Sequence, residues 1–426
     1  MKSLFARFVI LSKALFCNSG WGDLVKSDVL VLRHDADCGY RYAGKVYSPI
    51  ADTITEYCLD DGFRVQTIAT AYSRFIKTEA FNSPAAFNRP FFAIAFFSRI
   101  LNITVGRKKS RAWSAEKKTG IWLRILDRVK PQLVIGIQPD ISLCRACRLR
   151  DIAVYDIQHG VIDSSNSWYG ELLERNSSNK DLPSGFLCWD QNSASVLEAW
   201  APARGAEVHV VGHPWYQRFR SPLSHDQLVL EAKKSSQVMI NGKPTILVAL
   251  QWGLHIHYYA NTDFNHVMCT ALESVILETQ HQYNWLLRLH PLQLTGAEGD
   301  KCEEYLSSKF GGLSGVEWRR ASAVPLPLLL SQVDLHITDM SSVVIEASWF
   351  GIPSALLNPF LVEGGSLEKL YTQERQSGIA TILPQEAPLI NAWIEERIQT
   401  DFLSSEKESP RSGVRSFLDN RLVKNG

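Results

Sequence analysis

Two adjacent hydroxyls, Ser341 and Ser342, stand where the apolar run beginning at Leu335 turns into a helical one, Val343 to Phe350. The turn reads Thr338-Asp339-Met340-Ser341-Ser342, and Glu346 follows inside the helix. A helix start presents unpaired backbone N–H groups and the positive end of the helix dipole. Hydroxyl donors placed there suit an anion, a phosphate above all. From about one turn further in, the Glu346 carboxylate can accept hydrogen bonds from ribose hydroxyls. The competing reading is local: Asp339 or Ser341 caps the helix. Three other strand ends favour the anion. Gln251 follows the strand Thr245 to Leu250, His290-Pro291 follows Trp285 to Leu289, and Arg319 with Ser322 follows Val316 to Trp318. A histidine at such a place can donate to a phosphate oxygen, and the proline after it fixes the turn.

A second group lies earlier in the chain. Asp35 and Asp37 follow the apolar strand Asp28 to Leu32, and His159 follows Ala153 to Ile157 within Gln158-His159-Gly160. A carboxylate or an imidazole at a strand end can take a proton from a substrate hydroxyl. The alternatives are strand-end polarity for the aspartates and a loop-bonded ring for the histidine, and the residues alone leave both open. Metal readings are weaker. Asp35-x-Asp37 is a short pattern, His255-x-His257 has no carboxylate or cysteine at ligand spacing, and Cys144 and Cys147 form a lone CxxC in a helical stretch. No metal and no cofactor are expected.

The elements that must hold these residues alternate regularly. In the first half, strands at 28–32, 63–68, 132–137, 153–157, 185–189 and 208–211 are separated by helices such as 49–59, 121–129, 141–148 and 193–200. A second series starts with TILVAL at 245–250, and the strands there are buried apolar runs of the parallel kind. Strands alternating with helices predict an α/β fold of two Rossmann-like domains facing a cleft, with ligands at the carboxyl ends of the strands. The expected division is 1–220 for the acceptor, a linker over 221–243, 244–390 for the nucleotide donor, and a helical tail over 391–426 that folds back on the first half. Asp60-Asp61-Gly62 reads as a helix end with a glycine stop. Cys38 to Ser48 shows no period and reads as a loop lining the site, and 162–183 as a second polar loop.

The chain has 426 residues, 45% of them hydrophobic, enough for two cores. Its 45 Lys and Arg against 44 Asp and Glu leave a net charge of +1, which excludes a global electrostatic case for nucleic acid. Eight scattered cysteines point to reduced thiols in a cytoplasm. No apolar run is long enough to span a bilayer. Two segments are candidates for peripheral contact with the inner face of a membrane. One is a basic amphipathic helix over 1–17. The other is 89–111, where Phe91 to Phe97 lies among cations and reads first as a buried helix.

His290-Pro291, the Ser341-Ser342 turn with Glu346, and Gln158-His159-Gly160 together resemble the two-Rossmann (GT-B) glycosyltransferases of bacterial capsule and surface-polysaccharide synthesis. Within that group the His-Pro and Ser-Ser motifs are similar to those of cytidine-donor enzymes: Kdo- and sialyltransferases and CDP-glycerol glycerophosphotransferases. The resemblance covers roughly residues 130 to 360. It implies that His290, Ser341 and Ser342 contact the donor phosphate, that Pro291 shapes the turn and that Glu346 meets the ribose. Gln251, Arg319 and Ser322 complete the donor side. The expected activity is transfer of a sugar from a nucleotide-linked donor, CMP-Kdo being the example, to a surface glycan or glycolipid. Asp35 or Asp37 would be the base, with His159 the rival. The alternatives are a nucleotide-sugar 2-epimerase, a CDP-glycerol-type transferase and a non-catalytic partner in glycan assembly. Epimerases resemble a Gly-Thr-Arg-Pro-Glu pattern after the first strand and a Ser-Gly-Gly turn, which Arg33-His34-Asp35-Ala36-Asp37 and Ser341-Ser342 do not match.

Overall fold

The computed structural model describes residues 19–162, 167–175, 177–234, 236, 238, 242–259, 267–294, 296–399 and 413–422. The helix expected over 1–17 lies outside them. Two compact units divide the chain, Met1–Arg220 with Pro410–Gly426, and Ser221–Ser409.

The first unit contains β1 (Val29–Arg33), β2 (Tyr40–Tyr42), β3 (Lys45–Tyr47), β4 (Val65–Ala69), β5 (Leu133–Gly136), β6 (Ala153–Ile157), β7 (Gly185–Cys188) and β8 (Glu207–Val210). Six of these form one all-parallel sheet in the order β4-β1-β5-β6-β7-β8. Every residue of β1 is buried, as a parallel strand covered on both faces requires. Leu30, Leu32 and Val134 meet Phe91, Trp122 and Ile125 from the helices Asn88–Val105 and Arg107–Val129. Burying a Leu or Val side chain fully contributes about 1.5–3 kcal/mol. β5 approaches β1 so closely at Gly136 that an added Cβ would lie 2.5 Å from that of Leu32. β1 ends on a buried cation, Arg33, held by Asp52 at 3.3 Å and by the carbonyls of Val46 and Phe81.

Two expectations need correction here. Cys38 to Ser48 is not an aperiodic loop. β2 and β3 pair antiparallel through a two-residue turn, Ala43-Gly44, with φ of 49° and 75°. Positive φ at both positions is the hairpin turn usually written Asn-Gly or Asp-Gly, and alanine in the first place hid it. The Phe91–Phe97 run is only partly buried. Phe91 and Ile94 face the core, whereas Phe96 and Phe97 are exposed.

The second unit contains β9 (Thr245–Ala249), β10 (Asn284–Arg288), β11 (Val316–Glu317), β12 (Leu335–Thr338), β13 (Ser354–Leu356) and β14 (Ala380–Ile382). They too form one parallel sheet, ordered β11-β10-β9-β12-β13-β14. Ile246, Val248, Trp285, Leu287 and Ile337 pack there against the helices Thr270–Thr279 and Ala387–Gln399. Among the described residues no helix is long and apolar enough to cross a membrane.

Candidate functional site

In the second unit β9 lies between β10 and β12, so Gln251, His290 and the Thr338–Ser342 turn leave three adjacent strands at the same edge. They are joined by hydrogen bonds. The Gln251 Oε1 accepts from the Met340 N–H at 2.6 Å, and its carbonyl accepts from Gln293 Nε2 at 3.2 Å. The Oε1 of Gln293 accepts from the His290 N–H at 2.9 Å. Gln251 thus ties the His-Pro turn to the Ser-Ser turn. Pro291, which has no N–H, opens a single 3₁₀ turn, Pro291–Gln293, whose first N–H, that of Leu292, donates to His290 Nδ1 at 3.2 Å. A neutral imidazole that accepts at Nδ1 carries its proton on Nε2 and is a donor there.

The serine turn is held on several sides. Thr338 Oγ1 donates to the Ala249 carbonyl at 2.8 Å, and Tyr371 Oη to the Met340 carbonyl at 2.7 Å. Asp339 accepts from Tyr259 Oη and Asn358 Nδ2 at 2.7 and 2.6 Å, and burial pushes its carboxyl up to about 6. Its carboxylate is therefore engaged elsewhere than at the helix start. Ser342 is the N-cap residue of the helix Val343–Trp349 and makes no capping bond through its side chain. Ser341 Oγ accepts from the Val343 N–H at a long 3.4 Å. Both serines are partly exposed, and Glu346 is buried in the same helix.

Arg319 and Ser322 have other partners. Arg319 forms an ion pair with Glu303 and lies over the Trp318 ring, its guanidinium 5.0 Å from the centroid. Ser322 is buried, donates to the Trp318 carbonyl at 2.6 Å and accepts from the Leu289 N–H at 3.0 Å. Arg288 adds bonds to the carbonyls of Ala321 and Val324 at 2.6 and 2.7 Å. Ser322 and Arg288 fasten the end of β10, and so position His290 from beneath.

In the first unit the residues expected as bases meet at one sheet edge but face different ways. Asp37 is buried. Its Oδ2 accepts from Ser48 Oγ and from the N–H groups of Ile50 and Ala51 at 2.9 and 3.3 Å. It thereby caps the helix Pro49–Asp60. Burial pushes its carboxyl up to about 6 although these donors pull the other way. Asp35 accepts from Ser73 Oγ and from the Arg74 N–H at 2.9 Å, with the Arg74 guanidinium at 3.6 Å. The ring of His159 bonds to the carbonyl of Ala36, between the two aspartates. Burial lowers the His159 pKa, although its backbone partners pull the other way, and so favours the neutral ring.

Two further histidines stand beside it. His34 follows β1 and accepts from the Ala36 N–H through Nδ1 at 3.1 Å. Its pKa is lowered first by burial and then by His159. His213 follows β8, stacks on Trp189 with centroids 4.4 Å apart, and is lowered to about 3 by burial, with His159 adding to it. The sequence reading assigned neither a role. The strand-end signal that singled out His159 was present in Arg33-His34-Asp35 and Gly212-His213-Pro214 as well. Buried Gln158 steadies the His159 loop: Nε2 donates to the Gly160 carbonyl and to Ser193 Oγ, both at 2.9 Å, and Oε1 accepts from Trp189 N–H at 2.7 Å. Gly160 has φ of 91°, a conformation that disfavours any other residue.

The architecture of two parallel six-stranded sheets is shared with known proteins. The UDP-GlcNAc 2-epimerase of Neisseria meningitidis bound to UDP-GlcNAc matches 93% of this chain over 100% of its own, with a TM-score of 0.54 and 13% identity. The wall teichoic acid polymerase TagF, soaked with CDPG, matches 96% of this chain over 90% of its own, at 0.53 and 12%. The S. aureus MnaA–UDP structure matches 90% over 92%, at 0.51 and 12%. The chain has a GT-B-like fold. At these identities the likeness establishes that fold, which enzymes using nucleotide-linked substrates share. No protein-family model matches the chain, and no curated protein matches it in sequence.

Proposed function

We propose that this GT-B-like chain is a glycosyltransferase. Its donor is a sugar on a cytidine nucleotide, of which CMP-Kdo is the example. Its acceptor is a growing bacterial surface glycan, a capsule or lipopolysaccharide O-antigen. The observation that carries the reading is the hydrogen-bonded edge from His290 through Gln251 to Ser341 and Ser342. It supplies an Nε2–H donor and two hydroxyls to one anion, the phosphate of the leaving nucleotide. Buried Glu346 takes the ribose. His159 removes the proton from the acceptor hydroxyl, whose oxygen attacks the anomeric carbon as the bond to the phosphate oxygen breaks. Asp35 remains the second candidate for that step. The reaction runs in the cytoplasm, in keeping with the free thiols of all the described cysteines.

A second reading, nucleotide-sugar 2-epimerase, is favoured by the fold shared with the Neisseria enzyme. A thermal-shift panel of CMP, CDP, UMP, UDP and GDP is the first test. Ligand at about a hundred times its Kd stabilises the folded state by about 2.7 kcal/mol. We expect CMP to give the largest shift, and His290→Ala or Ser342→Ala to weaken binding about tenfold or more, the range of a hydrogen bond to a charged group. Equal shifts in variant and parent would remove the phosphate assignment. Protein incubated with a nucleotide sugar and no acceptor is the second test. An epimer formed without nucleotide release would replace transferase by epimerase.

A further inference from the structure

The helices Asn88–Val105 and Arg107–Val129 form a hairpin whose two ends differ. At its base, Phe91, Ile94, Trp122 and Ile125 are buried in the first unit's core. Toward the tip the apolar residues continue but the core does not. Phe96 and Phe97 are 52% and 54% exposed, Ile100 45% and Ile103 86%. The tip turns at Gly106, with φ of 86° and no Cβ to strain. Ser110 Oγ donates to the Ser98 carbonyl at 2.5 Å and stands 2.8 Å from Ser98 Oγ. These bonds tie the two helices together close to the turn, so the exposed residues ride on a braced projection.

Charge at the tip has one sign. No Asp or Glu occurs between Glu79 and Glu116, while Arg99, Arg107, Lys108, Lys109 and Arg111 are all exposed there. In a chain of net charge +1 this concentration is local. Exposed aromatic and aliphatic side chains on one helix, followed immediately by a basic turn, match the two layers of an anionic membrane surface. The apolar groups enter the acyl boundary and the cations stay among the phosphates. A second copy of the chain would bring like charges together.

We propose that the tip of this hairpin, Phe96 to Arg111, docks the protein on an anionic lipid surface. The docking is peripheral and reversible, and it is independent of which nucleotide the second unit takes. Flotation of the full-length protein with phosphatidylcholine vesicles, with and without phosphatidylglycerol, tests it at low and high salt. We expect binding to the anionic vesicles that falls with salt. Phe97→Ser with Ile103→Ser, and separately Lys108→Glu with Lys109→Glu, should each weaken it about tenfold or more with an unchanged melting temperature. The proposal is overturned if the parent binds neither vesicle, or if both paired variants bind as the parent does. It is equally overturned if the parent forms concentration-dependent dimers that Ile103→Ser abolishes. Nucleotide binding is read separately by thermal shift, so failure of either idea leaves the other standing.

Discussion

At the scale of single residues, the two aspartates after β1 separate into different jobs. Asp37 satisfies two helix N–H groups and a serine hydroxyl from inside the fold, so replacing its acceptor oxygen costs a cap. Asp37→Asn is expected to lower stability by about 1–2 kcal/mol, the range for caps and hydrogen bonds to charged groups. Asp35→Asn, in the 3₁₀ turn Asp35–Asp37 and more exposed than Asp37, should cost less, about 1 kcal/mol. If His159 is the base, His159→Gln loses turnover by about a hundredfold or more while the melting temperature stays near the parent's. Urea unfolding and acceptor-dependent nucleotide release measure the three variants together. Full turnover in His159→Gln, with loss only in Asp35→Asn, would move the base to Asp35. His290 shows the same principle at the other site. Its Nδ1 accepts from the N–H of Leu292, two residues on, a local contact that His-Pro spacing makes readable.

At the scale of elements, the helix Val414–Arg421 completes the first unit from the far end of the chain. Arg415 pairs with Asp61 through Nη2 and Nε at 2.6 and 2.8 Å and lies over the Tyr57 ring. Phe417 meets Tyr155 of β6 edge-to-face at 4.9 Å. Asp61 therefore does more than end a helix. It sits one residue before Gly62, whose φ of 85° makes the stop, and it receives the tail. Phe417→Ala should cost about 3 kcal/mol by cavity formation, and Arg415→Ala about 1 kcal/mol because its pair is partly exposed. Chemical unfolding of the two variants checks the ranking; a larger loss in Arg415→Ala than in Phe417→Ala would mean that the ion pair, rather than the packing, holds the tail.

At the scale of the whole molecule, buried imidazoles make stability depend on pH in a stated direction. His213 has a pKa of about 3 in the fold against 6.5 unfolded, and His34 and His159 are lowered as well. Between pH 6.5 and about 3 the unfolded chain binds a proton at His213 that the folded chain does not. Stability must then fall as pH falls, by up to about 1.4 kcal/mol per pH unit for each such group. Buried Asp156, raised to about 7, has the opposite sign, because its contribution shrinks as pH rises from the usual aspartate range toward 7. Melting temperatures across this window should show a shallower acid slope for His213→Gln than for the parent. Parallel slopes would mean that His213 titrates normally in the fold.

What the sequence by itself determined was the alternation of strands and helices and which residues leave the strand ends. Buried parallel strands are unbroken apolar runs, and His290-Pro291, Ser341-Ser342 and Gln158-His159-Gly160 each lie within a few residues of the end of one. Both facts are local, and local patterns survive in a linear reading. What only the tertiary structure decided was which partners those side chains meet inside the fold. Asp37 bonds to the helix start at Ser48–Ala51, Asp35 to Ser73 and Arg74, Arg319 to Glu303, and Ser322 to Leu289. The hairpin tip is left exposed where composition predicted burial. Each outcome depends on partners distant in the chain, whose positions follow from strand order and packing, and no spacing along the sequence encodes them.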